Sequence, residues 1–231
     1  LPGSVEGFVR LPEPAASELA RAGFVVEPDR DNWDYVYACT DLAELPGSRY
    51  HKKRNLVARC LEEHDCRYEP MTPALVPECA AMQDRWCAER ECGLDPGLCR
   101  EYDAIRELFA RFGELGVVGG AVRVDGEIAA YAIGEALAPD TAVCHFEKAM
   151  PAVHGLGQLI NQWFAARSLG AFAFVNREQD LGVPGLRQAK ESYHPHHMIE
   201  KYRAARSRDA LARLARLETH ECDRAGHRGR A

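Results

Sequence analysis

The sequence predicts a mixed α/β fold, in which helices alternate with the strands of a sheet. Three observations carry that prediction. Two apolar stretches, 117–124 and 127–137, flank the dipeptide Asp125-Gly126, a strong hairpin signal. Apolar residues recur at helical spacing on either side of this pair, at Ile105, Leu108, Phe109 and Phe112 upstream and over 157–168 downstream. The apolar run 171–175 is followed at once by Arg177, Glu178 and Asp180, as expected where a core strand opens onto a charged loop. That end of a sheet is where α/β proteins tend to hold ligands.

The elements follow in order. Residues 13–22 read as a short helix ending at Gly23, 24–27 as a strand and 35–38 as a second strand. From Asp41 the pattern turns helical, with Leu42 and Leu45 before Gly47, and a basic helix follows over 50–64. Pro70 and Pro73 punctuate the chain and mark a lobe boundary. Thr72 is the expected N-cap of a helix whose apolar positions include Leu75, Cys79 and Met82. A helix over 102–112 precedes the hairpin. A strand over 142–148, the helix 157–168, the strand 171–175 and a short helix from Pro184 follow it. Leu211, Leu214 and Leu217 recur in an arginine-rich tail, read as a surface helix or a disordered segment. The expected organisation is a partial first lobe over 1–70, a complete second lobe over 71–205 and the tail over 206–231.

Composition narrows the class. A chain of 231 residues with 46% hydrophobic and 28% charged residues is long enough for a sizeable core and ordinary for a globular protein. No run approaches the roughly 18 apolar residues needed to cross a bilayer, and no charged, then apolar leader opens the chain. A cytoplasmic protein is expected, with contact at the inner membrane surface open to it. The net charge of -6 argues against general coating of nucleic acid, but Arg49, His51, Lys52, Lys53, Arg54 and Arg59 form a local basic cluster. A solvated helix face is the alternative reading. Nine cysteines without paired Cys-x-x-Cys spacing, and His194, His196 and His197 around a proline, do not make a zinc site, so no metal is expected.

The segment 174–202 carries a more specific pattern: Asn176-Arg177-Glu178, then Asp180-Leu181-Gly182, then Gly185-Leu186-Arg187, Ala189-Lys190, Ser192-Tyr193 and Pro195, then Lys201-Tyr202. With Asp34-Tyr35-Val36-Tyr37, Asp41-Leu42, the run 47–55, Glu147-Lys148-Ala149 and the run 157–161, it resembles the phosphatidylglycerol lysyltransferase C-terminal-domain family from about residue 32 to residue 202. The resemblance implies a Gcn5-related N-acyltransferase-like fold, usually two such lobes in tandem with a longer first lobe, so the first lobe over 1–70 reads as incomplete. It also implies aminoacyl-tRNA as donor substrate, with a lipid headgroup or a small amine as acceptor and no tightly bound cofactor.

On that reading the chemistry needs a base, an oxyanion partner and a hold on phosphate. Glu147, Glu178 and Asp180 are the candidate carboxylates, Arg177 the candidate oxyanion partner and Tyr193 a candidate proton donor to the leaving group. Lys52, Lys53 and Arg54 are expected on the tRNA, with Lys190 nearby on the short helix. An ion pair of Glu178 with Arg187 or Lys190 and simple packing of Tyr193 are the plainer alternatives. Gly155 and Gly157 lie where acyltransferases of this fold bind a pyrophosphate with loop amides. That favours acyl-CoA as an alternative donor, although Ala152 stands where Gln or Arg is usual. A non-catalytic module binding tRNA or another anion is the remaining reading.

Overall fold

A computed structural model of the protein describes residues 5–215. In chain order its elements are β1 (Gly7–Pro12), α1 (Glu13–Arg21), β2 (Val25–Pro28), β3 (Asp34–Ala38), α2 (Cys39–Glu44), α3 (His51–Glu63), β4 (Cys66–Pro70), α4 (Val76–Glu89), α5 (Pro96–Ala110), β5 (Val118–Val124), β6 (Glu127–Ala138), β7 (Thr141–Ala149), α6 (Leu156–Arg167), β8 (Phe174–Asn176), α7 (Pro184–Glu191), β9 (His197–Ile199) and β10 (Lys201–Ala205). Residues 208–215 are helical; Leu217 and the rest of the expected tail lie outside the described residues. The described residues divide into two compact units, one of residues 37–177 and one made from the flanking segments on either side of it. This division falls elsewhere than the Pro70 to Pro73 punctuation. β4 pairs along its whole length with β5, from Cys66 opposite Val124 to Pro70 opposite Gly120, so the chain on both sides of those prolines shares one sheet.

In the unit 37–177, β4, β5, β6 and β7 run antiparallel and β8 joins β7 in parallel, so the sheet is mixed. The hairpin turn is as expected: Asp125 and Gly126 both have positive φ, 50° and 97°, the left-handed pair that a two-residue loop between twisted strands requires. Residues 128–134 of β6 are buried without alternation, as in a strand covered on both faces. Tyr131 and Ile133 look into a core built with Met71 and Leu75 ahead of α4, Cys79 and Met82 on α4, and Ile105, Leu108 and Phe109 of α5. The intervening Ala130 and Ala132 belong to the opposite face. Cross-strand partners share a face, so Lys148, opposite Tyr131, lies on the α4 and α5 side, and Glu147, opposite Ala132, lies on the other. α6 covers that second face with Leu156, Leu159, Ile160 and Phe164 all buried.

Several element ends differ from expectation for local reasons. The Thr72 side chain does not cap α4; its backbone carbonyl accepts from Leu75 N and Val76 N, and the helix begins at Val76 with Pro77 in its first turn. α5 starts six residues early, because the Asp95 carboxylate accepts from Gly97 N and Leu98 N at 2.8 and 3.2 Å and caps it. β8 is shorter than the run 171–175, since Ala173 N and Phe174 N both turn to the Asp140 carbonyl.

The other unit contains a small antiparallel sheet in the order β1-β10-β2, and β9 pairs antiparallel with β3. α7 belongs to the same unit. Ala205, Ala210 and Leu211 form a small core there with Val25 and Leu214.

Gly155, at the N-terminus of α6, has φ +85°, and a Cβ built on it would lie 2.2 Å from the Leu56 carbonyl oxygen of α3. Its lack of a side chain lets the two helices approach, whereas a Cβ at Gly157 would meet nothing within 4 Å. Gly155→Ala is therefore expected to lower unfolding free energy by about 2–3 kcal/mol, and Gly157→Ala to leave it unchanged or raise it by up to about 1 kcal/mol. Urea unfolding of the two variants checks this.

Candidate active site

Glu147 lies where β7, β8 and α6 meet, and each brings it a partner. Arg177, the first residue after β8, donates from Nη2 to Glu147 Oε1 at 3.0 Å. Asn161, on the buried face of α6, donates from Nδ2 to Oε2 at 2.9 Å. The Glu147 and Arg177 side chains keep 20% and 14% of their exposure, so the pair sits at an opening, largely but not wholly withdrawn from water. The guanidinium lies 5.7 Å from the centre of the Tyr37 ring. Lys53, on α3, is half-buried; burial first, and then the charge of Arg177, holds its ammonium below the usual lysine range. Arg177 thus pairs with the carboxylate and also acts on Lys53, and two cations close enough to repel each other favour an additional anion. Asn161 is itself 4% exposed, and its Oδ1 has no hydrogen-bond partner among the described residues. Leaving a buried acceptor unsatisfied costs about 1–3 kcal/mol.

The parallel pairing of β7 with β8 is what brings Arg177 to Glu147, as expected of adjacent strand ends. The basic helix is less uniform than its sequence suggests. Arg54 donates to the Leu45 and Gly47 carbonyls and ties down the end of α2. Arg49 pairs with Asp41 at 2.6 Å and Arg59 with Glu63 at 2.8 Å, while Lys52 is exposed. The site takes Lys53 from this cluster. Sequence reasoning missed Asn161 as a functional residue; a polar side chain among Leu159, Ile160 and Phe164 on a buried helix was the available signal.

Glu178, Asp180, Lys190 and Tyr193 belong to the other unit, where Asp180 is the centre of a separate network. Its side chain is 0% exposed. Oδ1 accepts from Arg187 Nη2 at 2.7 Å and from Gly182 N at 2.8 Å; Oδ2 accepts from Arg187 Nε at 2.8 Å, Arg30 Nη1 at 3.1 Å and Tyr35 Oη at 2.6 Å. Burial alone would raise this carboxyl, but the bonds from Arg187, Tyr35 and Gly182 outweigh it and hold the group well below the usual aspartate range. A carboxylate so engaged is a poor base. Its partner is the Arg187 that the sequence offered to Glu178, and Glu178 instead contributes its carbonyl to Tyr35 N at 3.1 Å, with φ of 55°. Lys190 and Tyr193 are both buried, the former with Nζ 5.8 Å from the centre of the Tyr35 ring. Tyr193 closes α7 through its backbone N–H to the Lys190 carbonyl. Arg30 and Tyr35, far upstream, were not anticipated.

A model of the phosphatidylglycerol lysyltransferase C-terminal domain matches residues 3–205. The chain belongs to that family. Among solved structures, a conserved protein of unknown function from Bacteroides thetaiotaomicron is 33% identical, with a TM-score of 0.81 over 86% of this chain and 69% of its own. The C-terminal domain named for a lysylphosphatidylglycerol synthetase from Agrobacterium fabrum is 17% identical, with a TM-score of 0.69 over 97% and 74%. The L-PGS structure from Bacillus licheniformis is 13% identical, with a TM-score of 0.68 over 94% and 73%. Among curated proteins none matches the chain. The family and these neighbours identify an acyltransferase-fold protein of mixed α/β architecture.

Among the described residues no helix is long and apolar enough to cross a membrane, and no group of three or more His, Cys, Asp or Glu side chains is placed to hold a metal ion.

For this lysyltransferase-family chain the Asp180 network has a stability signature. Asp180→Asn removes the charge that two arginines surround and is expected to cost about 3–5 kcal/mol. The wild-type carboxylate keeps its charge in the folded state below the value at which it protonates when unfolded. Its contribution is therefore complete above about pH 4 and declines as pH falls towards its depressed folded value. Urea unfolding between about pH 6 and about pH 3, a window that spans the ordinary aspartate range, should show a shallower acid decline in Asp180→Asn.

Proposed function

We propose that this chain transfers an aminoacyl group from aminoacyl-tRNA to the hydroxyl of a phosphatidylglycerol-like lipid headgroup, or to a small amine. The observation that carries this reading is the Glu147 carboxylate, fixed by Arg177 and Asn161, with the half-buried Lys53 within reach of the Arg177 charge. The name of the matching family supports an aminoacyl group and a phosphatidylglycerol-like acceptor.

The acceptor oxygen attacks the ester carbonyl carbon and its proton passes to Glu147. The carbonyl becomes a tetrahedral oxyanion beside Arg177 and Lys53, where positive charge lowers the barrier. The carbon–oxygen bond to the tRNA ribose then breaks, and the proton held by Glu147 is delivered to the leaving ribose oxygen. One ester replaces another, and no oxidant or resident cofactor is required. The same cations suit the phosphates of donor and headgroup, and Lys52 is exposed for the RNA backbone. Transfer to a lipid would take place at a membrane surface.

The test is label transfer from a pool of radiolabelled aminoacyl-tRNA into chloroform-extractable lipid, using phosphatidylglycerol vesicles, and in parallel into soluble amines. Wild-type protein is expected to label one fraction, and Glu147→Gln to lower transfer at least about a hundredfold. Lys53→Met should lower transfer about tenfold or more, because a positive charge beside the oxyanion is removed. The folded state disfavours a proton on Lys53, so stability from this group rises with pH towards the lysine range; that rise is absent in Lys53→Met. Label in neither fraction, with saturable tRNA binding retained, would replace the transferase reading with a binding role.

A further inference from the structure

The two ends of the Asn161 amide stand in unequal positions. Nδ2 donates to Glu147 Oε2 at 2.9 Å, while Oδ1 is buried without a hydrogen-bond partner among the described residues. Buried acceptors are nearly always satisfied, so an orphan beside a candidate base calls for a physical account. The neighbouring groups supply one. Arg177 donates to Oε1 at 3.0 Å, and a guanidinium has donors only. Lys53, whose ammonium feels the Arg177 charge, is also a donor when charged. Once Glu147 takes a proton, its new O–H must lie on Oε2, because Oε1 faces Arg177, and that O–H requires an acceptor. A half-turn of the Asn161 amide about its Cβ–Cγ bond replaces Nδ2 with Oδ1 at that place.

We propose that Asn161 is a positioning residue that serves Glu147 in both protonation states. Nδ2 donates to the carboxylate before proton transfer, and Oδ1 accepts from the carboxylic acid after it. The amide itself gains and loses no proton; it exchanges one hydrogen bond for another while the proton travels from acceptor hydroxyl to Glu147 and on to the leaving oxygen. The inference rests on the reading of Glu147 as the base. It assigns to Asn161 the requirement for a group that can both give and take a hydrogen bond.

Glu147→Gln provides a neutral analogue of the protonated state. Its carbonyl remains with Arg177, so its NH2 group faces Asn161 and the amide has to turn. In protein labelled with 15N in asparagine side chains, the Asn161 amide proton that the carboxylate shifts downfield in the wild type is expected to move upfield in Glu147→Gln. An unchanged resonance overturns the inference whether or not transfer is detected. In the transfer assay with aminoacyl-tRNA and phosphatidylglycerol vesicles, Asn161→Leu is expected to lower kcat at least ~10-fold with KM changed less than about twofold. Asn161→Ser, whose hydroxyl both donates and accepts, should recover part of that loss, and Asn161→Asp should not. Wild-type kcat in Asn161→Leu, or Asn161→Asp as active as Asn161→Ser, overturns the role of Asn161 alone. Full activity in Glu147→Gln overturns the base assignment on which it rests.

Discussion

A carboxylate withdrawn from water must be given hydrogen-bond donors or it will not stay charged, and this constraint organises both units of the chain. In the unit 37–177 the donors to Glu147 come from a helix and from the residue just after a strand, so α6 and β8 must both be in place before the carboxylate is satisfied. In the other unit Asp180 takes donors from Arg30 and Tyr35 near the start of the chain and from Gly182 and Arg187 near its end. The same physics has opposite outcomes in the two places. Asp180 has no exposure and bonds on both oxygens from charged and neutral donors, so it is a structural anchor. Glu147 keeps a fifth of its exposure and a neutral amide on one oxygen, so it stays approachable.

The face that carries Glu147 depends on small side chains. Ala130 and Ala132 on β6 leave depth beneath α6, whereas Tyr131 and Ile133 fill the side against α4 and α5. Lys148, the next residue on β7, shows what the other face does to a charge: it is 8% exposed, paired with Glu101 and set 4.2 Å from the centre of the Trp86 ring. A shift of one residue in the β6–β7 register would exchange these two charged side chains between faces and dismantle both arrangements. The register that packs the core is therefore the same register that builds the site.

Local signals in the sequence were enough for the hairpin and the amphipathic helices, because turn chemistry and apolar spacing are properties of neighbours in the chain. They were not enough for β1, β4, β9 and β10, each defined by a partner distant in sequence; β1 also contains Arg10 at positive φ and an irregular register opposite β10. For the candidate site, Glu147 and the charged residues after the apolar run 171–175 were legible as candidates, and the structure joins Glu147 to Arg177 among them. What the sequence could not say was which carboxylate would be saturated. That depends on Arg30 and Tyr35, some 150 and 145 residues away from Asp180. Asn161 was hidden for a related reason: on α6 it reads as a polar interruption of an apolar face, and only the approach of β7 gives its amide something to hold.

The unit formed by the two flanking segments is interrupted by residues 37–177, and this has a consequence for the order in which the protein is made. Among the described residues β1 and β2 do not pair with each other; each pairs with β10 between them. During synthesis at about 5–20 residues per second, both strands wait on the order of ten to thirty seconds for Lys201–Ala205 to leave the ribosome. Throughout that interval they present unpaired backbone edges, the surface that holding chaperones recognise and that neighbouring nascent chains can capture. The continuous unit, whose strands all lie within 37–177, has no such wait and can be complete while its companion is still two loose ends.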